Sequence, residues 1–123
     1  MESQCFNFPE MIDGSMIETE FVSVFTTIDT LKKAESIASA CVEKQLVACA
    51  QIDGPITSVY RWKGQVEKGS EFRLMFKTSV SLVESLTRLI GELHTYDVPE
   101  IIALPIAFGS EEYFSWMRDS LTG

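Results

Sequence analysis

The segment from His94 to Glu100 gathers the side chains best suited to bind a metal ion or a small ligand. It contains the only histidine of the chain, together with Tyr96, Asp97 and Glu100. Cys49 offers a thiolate elsewhere in the sequence. Imidazole nitrogen, thiolate sulfur and carboxylate oxygen form a mixed donor set that suits copper(II) or zinc better than calcium or magnesium. The sequence therefore predicts a transition-metal site with His94, Cys49 and Glu100 as its candidate ligands.

The spacing of these residues leaves other interpretations open. A histidine at the end of a helix commonly bonds backbone carbonyls, and a strand cysteine between two alanines is commonly a small buried hydrophobe. Acid–base chemistry by His94 with Tyr96 and Glu100 is the enzymatic alternative. The chain has no GxSxG, no HExxH and no glycine-rich phosphate loop. A non-enzymatic protein is therefore predicted.

Four further side chains could line a ligand cleft. Lys77 is predicted on the polar face of a strand, where its ammonium could neutralise a bound carboxylate or pair with Glu100. The amphipathic aromatics suit a pocket and serve equally well as packing or interface anchors. The cleft candidates are Tyr96, Lys77, Trp62 and Trp116.

Composition bounds the class of protein and its partners. The chain has 123 residues, enough for one domain, and a formal net charge of -8, which repels phosphate backbones. We therefore expect no nucleic-acid partner. No apolar run reaches the roughly 20 residues that span a bilayer, so no membrane partner is expected either. Three cysteines at unrelated spacings indicate reduced thiols. A soluble, cytoplasmic protein is the expectation.

Apolar periodicity predicts the elements that position these side chains. Residues 1–19 show no period and are predicted to be a poorly ordered N-terminal arm, followed by one domain at 20–123. Strands are predicted at 21–28, 46–52 and 101–106, and a long hairpin at 56–62 and 65–78. Three helices are predicted: one that begins at 31, one that runs from 82 up to 94, and one that begins after 110. Asp53-Gly54-Pro55 has turn chemistry, and Asp29 and Ser110 are predicted helix caps. Pro105 predicts an edge position for the last strand.

The order β-α-β-β-α-β with an appended helix matches an α+β, ferredoxin-like (split βαβ) arrangement, in which both helices lie on one sheet face. The first strand carries apolar groups on both sides, with Phe21 and Phe25 on one and Val22, Val24 and Ile28 on the other. A lone subunit would expose the second sheet face, and the long hairpin offers surplus edge. An oligomer is therefore predicted.

Five motifs in the same order resemble the CutA divalent-cation-tolerance family: Leu46–Ile52, Ser58–Gly64, Lys77-Thr78, His94–Ile106 and Tyr113–Trp116. The resemblance covers residues 20 to 121, and the arm has no counterpart in the family pattern. It implies a ferredoxin-like subunit in a homotrimer, similar in architecture to the PII signal-transduction proteins, with a role in tolerance to copper and other divalent ions.

The resemblance also implies where a metal would bind. In the family, copper(II) binding is linked with the cysteine of the second strand and the histidine after the second helix, which correspond to Cys49 and His94. Tyr96 and Glu100 match motif positions beside them. The family usually has proline after this histidine, where the chain has Thr95. The resemblance implies no established catalytic activity and no obligatory cofactor.

Two functions follow as hypotheses. The first is a non-enzymatic homotrimer that binds a divalent metal ion, copper(II) first, in a cleft between subunits. The second is a PII-like signalling or scaffold module whose inter-subunit clefts accept a small molecule or a partner protein.

Overall fold

The computed structural model describes residues 6–8 and 17–122. The predicted N-terminal arm lies largely outside these residues, as does Cys5. The described parts of the arm are two short antiparallel strands, β1 (Phe6–Phe8) and β2 (Ile17–Thr19). Thr19 is buried, and its hydroxyl lies 2.8 Å from the carbonyl of Ile106. The start of the domain is thereby tied to the segment that follows its last strand.

A four-stranded antiparallel sheet forms the centre of the domain. The elements after β2 are β3 (Phe21–Ile28), α1 (Leu31–Glu43), β4 (Cys49–Trp62), β5 (Gln65–Ser79), α2 (Val83–Leu93), β6 (Ile102–Pro105) and α3 (Glu111–Ser120). The sheet order is β4-β5-β3-β6, and each neighbouring pair is antiparallel. The α+β class, the long hairpin and the C-terminal helix are thus confirmed, and Pro105 lies in an edge strand as predicted.

One face of the sheet packs against α1 and α2 and forms the main core. Because side chains alternate along a strand, Val22, Val24 and Ile28 of β3 point to the same face as Leu74 and Phe76 of β5. The helices contribute small and branched residues that fill the space above them. The fully buried helix residues of this core include Ala34, Cys41, Leu86 and Ile90.

The opposite face is covered at one end only. There α3 packs on β3, so that Phe21 and Met117 are 2% and 0% exposed and Phe114 lies against them. The sequence-based prediction that this face lacks a covering helix is wrong at this end, because the apolar side of α3 is long enough to bury Phe21. Farther along, Ile102 and Leu104 are 50% and 51% exposed.

Arg118 anchors the C-terminal part of α3. Its guanidinium donates hydrogen bonds to both carboxylate oxygens of Glu20, at 2.8 and 3.0 Å, and to Glu111 at 3.1 Å. It also lies over the ring of Phe21, 5.4 Å from the centroid. The pKa of Arg118 is raised above its usual value, chiefly by the hydrogen bonds to Glu20 and next by the hydrogen bond to Glu111. This arrangement holds the helix over the end of β3.

The strand predicted at 46–52 and the turn predicted at residues 53–55 are wrong in detail. β4 begins at Cys49 and continues to Trp62, and the pairing register shifts between Asp53 and Ile56. A β-bulge therefore stands where a turn that closes the strand was predicted, and a bulge accommodates a proline, which lacks an N–H. Gly54 is required there, because a Cβ would lie 2.9 Å from the Phe72 side chain and its φ is +143°.

The two helix caps differ in outcome. Ser110 caps α3 as predicted, accepting from the N–H of Tyr113 at 3.2 Å. The predicted cap at Asp29 is wrong, because the Thr30 hydroxyl accepts from the N–H of Lys33 instead. The Asp29 carboxylate accepts from the Lys33 ammonium at 3.1 Å, so it stabilises the first turn as an ion pair.

Candidate metal and ligand site

His94 ends α2 and contacts two backbone groups through its ring. The residue is extended, with φ -77° and ψ 148°, and its N–H donates to the carbonyl of Ile90 at 2.8 Å. Nε2 lies 2.7 Å from the carbonyl oxygen of Thr27, at the end of β3. Nδ1 lies 3.0 Å from the backbone nitrogen of Tyr96. We call residues 94–100 the His94 junction.

Tyr96 extends the His94 junction to the base of the hairpin. Its ring packs edge-on against His94 at 4.6 Å, and its hydroxyl donates to the Glu71 carboxylate at 2.7 Å. Glu71 lies on β5 opposite Ile56, the first paired residue after the bulge. Desolvation and the bonded carboxylate raise the pKa of Tyr96 well above its usual range. The phenol is therefore a hydrogen-bond donor at neutral pH.

Cys49 lies at the other end of the sheet, on the face that α3 partly covers. The pairing places Cys49, Lys77, Ser23 and Leu104 in one row across the four strands. The Cys49 sulfur is 3.8 Å from the hydroxyl of Tyr113 on α3. Desolvation, followed by the contact with Cys49, raises the pKa of Tyr113.

Two of the predicted cleft residues lie near Cys49. The Lys77 ammonium donates to the Gln51 side chain at 2.9 Å, so it is held over the sheet beside the thiol. Trp116 packs against Tyr113 with ring centroids 5.3 Å apart and remains 45% exposed. We call the group of Cys49, Lys77, Tyr113 and Trp116 the Cys49 surface.

The other two cleft candidates lie apart from the Cys49 surface. Tyr96 belongs to the His94 junction, as described. Trp62 ends β4, is 57% exposed and has the Lys63 ammonium 5.7 Å from its ring centroid. It is thirteen residues along the strand from Cys49, which corresponds to about 40 Å at roughly 3.3 Å per residue. One copy of the chain therefore does not gather the four candidates into one cleft.

The three predicted metal ligands do not converge within one copy. His94 contacts Thr27, whereas Cys49 shares a row with Ser23, four residues earlier in β3; four residues of strand span about 13 Å. Glu100 is exposed and forms no ion pair with any described residue. Throughout residues 6–8 and 17–122, no three His, Cys, Asp or Glu side chains are grouped to hold a metal ion. The donor set does not fit a metal site in a single copy.

Thr27, Glu71 and Gln51 are contacts that sequence reasoning missed. Thr27 acts through its backbone carbonyl, for which a residue type gives no signal. Glu71 and Gln51 stand on strands at positions expected to be solvated. Only the strand register, which pairs Glu71 with Ile56 and Gln51 with Met75, brings them to their partners.

The part of the chain that the structure describes has no helix long and apolar enough to cross a membrane.

Comparison with known proteins gives consistent matches to one family. The model of the CutA1 divalent ion tolerance protein family matches residues 22–120. The human protein CutA is 45% identical over 96 residues, covering 78% of this chain and 54% of its own length. The chain therefore spans about half the length of this relative. The divalent-cation tolerance protein CutA of Thermus thermophilus is 42% identical over 97 residues, covering 79% of this chain and 94% of its own.

Solved structures give the same match. The divalent cation tolerance protein Cut A1 from Thermus thermophilus superposes with a TM-score of 0.81 at 40% identity, covering 83% of this chain and 99% of the other. CutA1 from Oryza sativa gives a TM-score of 0.82 at 36% identity, with 85% of this chain covered and 95% of the other.

Proposed function

The chain belongs to the CutA1 divalent ion tolerance family, and from this premise we propose that it binds a divalent transition-metal ion, copper(II) first, without catalysing a reaction. The net charge of -8 supports this proposal, since it attracts cations. A cytoplasmic location and the absence of an obligatory cofactor are part of the same proposal.

The proposed working form is a homotrimer of ferredoxin-like subunits. The sheet order β4-β5-β3-β6, with α1 and α2 on one face, supports the ferredoxin-like assignment. Ile102 and Leu104 on the other face are half exposed, and every residue from 59 to 68 in the outer hairpin is exposed. Burial of these surfaces against further copies would remove apolar area from water at about 25 cal/mol per Å².

Cys49 carries the metal proposal. It is half-buried rather than enclosed, and the Tyr113 hydroxyl lies 3.8 Å from its sulfur. Its thiolate is a soft ligand of the kind that transition metals select. Because the donors do not converge in one copy, the remaining ligands would come from a neighbouring copy. The exposed carboxylate of Glu100 is the candidate for this contribution.

Calorimetric titration with copper(II), and separately with zinc(II), tests the proposal. We expect saturable binding that weakens at least tenfold in Cys49→Ser, since a hydroxyl is a poor ligand for a soft ion. Cys5→Ser is the matched control, because it removes a thiol from the N-terminal segment and should leave the affinity unchanged. Sedimentation equilibrium on the same samples should give a trimer. An absence of saturable binding, or equal binding by wild type and Cys49→Ser, would contradict the metal proposal.

A second candidate function is supported by the state of the His94 junction. Both ring nitrogens of His94 face backbone partners, so this side chain is not free to bind a metal ion, and the alternative is a PII-like module that binds a small molecule or a partner protein in its clefts. Trp62 and Trp116 are both about half exposed and would report such binding. Tryptophan fluorescence screened against a metabolite panel in the presence of a chelator should then shift. A flat response across the panel would count against this candidate.

A further inference from the structure

The hydrogen bonds of His94 leave its imidazole in one protonation state. A backbone carbonyl only accepts hydrogen bonds, so Nε2, at 2.7 Å from the Thr27 oxygen, must carry a proton. A backbone N–H only donates, so Nδ1, at 3.0 Å from the Tyr96 nitrogen, must be unprotonated. The ring is therefore neutral, in the Nε2–H tautomer. Neither nitrogen has a lone pair available to a metal ion.

A metal ion could reach this ring only by breaking one of the two bonds. Ligation through Nε2 would require that nitrogen to lose its proton and would leave the Thr27 carbonyl without its donor. Ligation through Nδ1 would leave the Tyr96 N–H without its acceptor. Both contacts are partly buried, and leaving a buried polar group unsatisfied is unfavourable. The geometry thus disagrees with a ligand role for His94.

The same ring places Tyr96 against the hairpin. The bond to the Tyr96 N–H fixes the backbone two residues after His94, and the edge-on ring packing at 4.6 Å orients the phenol. The hydroxyl then bonds Glu71 on β5 at 2.7 Å. A continuous path of contacts runs from the end of β3, through the end of α2, to the base of the hairpin.

The base is where the direction of the hairpin is set. All residues from 59 to 68 are exposed in the chain as described, so the outer half of the hairpin has little packing of its own. The bulge between Asp53 and Ile56 bends β4 at the base, where Arg73 pairs with Asp53 at 3.1 Å. The Tyr96–Glu71 bond lies beside this bulge and connects the hairpin to the loop that follows α2.

We propose that His94 is a positioning residue, which holds Tyr96 so that its hydroxyl braces the hairpin through Glu71, and that His94 is not a metal ligand. This inference deepens the proposed function, on which it rests, by assigning different roles to two of the three predicted donors, His94 and Cys49. His94 sets the direction of the hairpin that a neighbouring copy meets, and Cys49 supplies the metal donor.

Nitrogen NMR of the imidazole tests the first half of the proposal. The chain has one histidine, so a tag-free, ¹⁵N-labelled sample gives one imidazole spectrum. We expect one protonated nitrogen, identified as Nε2, and one unprotonated nitrogen, Nδ1. The pattern should stay unchanged when zinc(II) is added to saturation. A mixture of tautomers, or a shift of either nitrogen to a metal-bound position, would overturn the inference.

Fluorescence anisotropy tests the second half. In a Trp116→Phe background Trp62 is the only tryptophan, and it reports motion of the outer hairpin. His94→Ala and Tyr96→Phe should each lower the residual anisotropy of Trp62, because each removes hydrogen bonds on the path to Glu71. Tyr113→Phe is the control, since it removes a hydroxyl from the Cys49 surface and should leave the anisotropy unchanged. Unchanged anisotropy in both test variants would overturn the bracing role.

Metal titration of His94→Gln separates this inference from the proposed function. We expect an affinity within twofold of wild type. A tenfold loss would overturn the positioning assignment and leave metal binding intact. A failure of wild type itself to bind would remove the proposed function, whereas the tautomer and anisotropy results would still decide the role of His94.

Discussion

The His94 junction and the Cys49 surface contain similar donor atoms but differ in how many of them are already bonded. In the His94 junction the imidazole bonds two backbone groups and Tyr96 bonds Glu71. On the Cys49 surface the thiol has, among the described residues, one weak hydrogen-bonding contact, 3.8 Å from the Tyr113 hydroxyl. The segment richest in ligand-type side chains is thus the more saturated of the two.

The difference shows that ligand-type residues are not equivalent to available ligands. The ring nitrogens of His94 and the hydroxyl of Tyr96 lie between secondary-structure elements and are bonded within the fold, and leaving such a buried polar atom unbonded costs about 1–3 kcal/mol. Those on a sheet face that the helices leave partly open keep their capacity to bind. Availability therefore follows from the layer in which a residue lies.

The largest expected effect concerns the helix that borders the Cys49 surface. Met117 of α3 is fully buried against Phe21 of β3. Met117→Ala should lower the free energy of unfolding by about 3 kcal/mol through lost packing and a cavity. Urea unfolding measures this. Trp116→Ala, at a half-exposed position of the same helix, is the control and should cost less. Equal small losses in both variants would mean that α3 does not hold this surface in place.

A smaller effect distinguishes the buried thiol of Cys41 from the half-buried thiol of Cys49. Burial raises the pKa of Cys41 to about 11, above the value of the unfolded chain, so the native state keeps a proton that the unfolded state loses as pH rises. Stability should be unchanged below about pH 8 and fall by about 1 kcal/mol by pH 10 from this group.

Urea unfolding at pH 8 and pH 10 checks the prediction for Cys41. Cys41→Ala should reduce the loss between the two pH values by the stated amount, and Cys49→Ser serves as the comparison because its thiol is only half-buried. The same pH dependence in wild type and Cys41→Ala would show that the Cys41 thiol makes no contribution.

The smallest expected effect on stability belongs to Cys49 itself. Cys49→Ser should change the free energy of unfolding by less than about 0.5 kcal/mol, since substitutions at partly exposed positions without strong contacts are usually near neutral.

Thiol alkylation followed by mass spectrometry should modify Cys49 in the native protein and Cys41 only in denaturant. Protection of Cys49 by zinc(II) would support its role as a ligand. If Cys41 in the folded protein were alkylated as fast as Cys49, the predicted difference in accessibility between the two thiols would be wrong.

The sequence was sufficient to predict the elements that depend on periodicity. The alternation of Phe72, Leu74 and Phe76 located β5, and the turn at Lys63-Gly64 located the hairpin tip between Trp62 and Gln65. It was not sufficient for residues 53–55, because glycine and proline occur in turns and bulges alike. The pairing of both flanking segments with β5 decides between the two.

The candidate site was predictable by residue type and not by contact. The sequence indicates that His94, Cys49 and Glu100 can bind a metal, but it does not reveal that Thr27, 67 positions before His94, offers the imidazole its carbonyl. Long-range contacts of this kind depend on strand register and helix packing. Composition therefore identified the candidates, and their partners became known only from the fold.

The two edge strands of the sheet differ in length, and this difference has a consequence for solubility. β6 is a four-residue edge strand that ends in proline, whereas β4, at the other edge, runs for fourteen residues. A long edge strand with exposed Val59 and Trp62 is a template for amyloid-type stacking. Arg61, Lys63 and Lys68 place positive charge along this segment, and such gatekeeper charges oppose the stacking of identical strands. The hairpin offers an edge through which copies could assemble into a closed oligomer. These charges disfavour open-ended stacking of strands along the same edge.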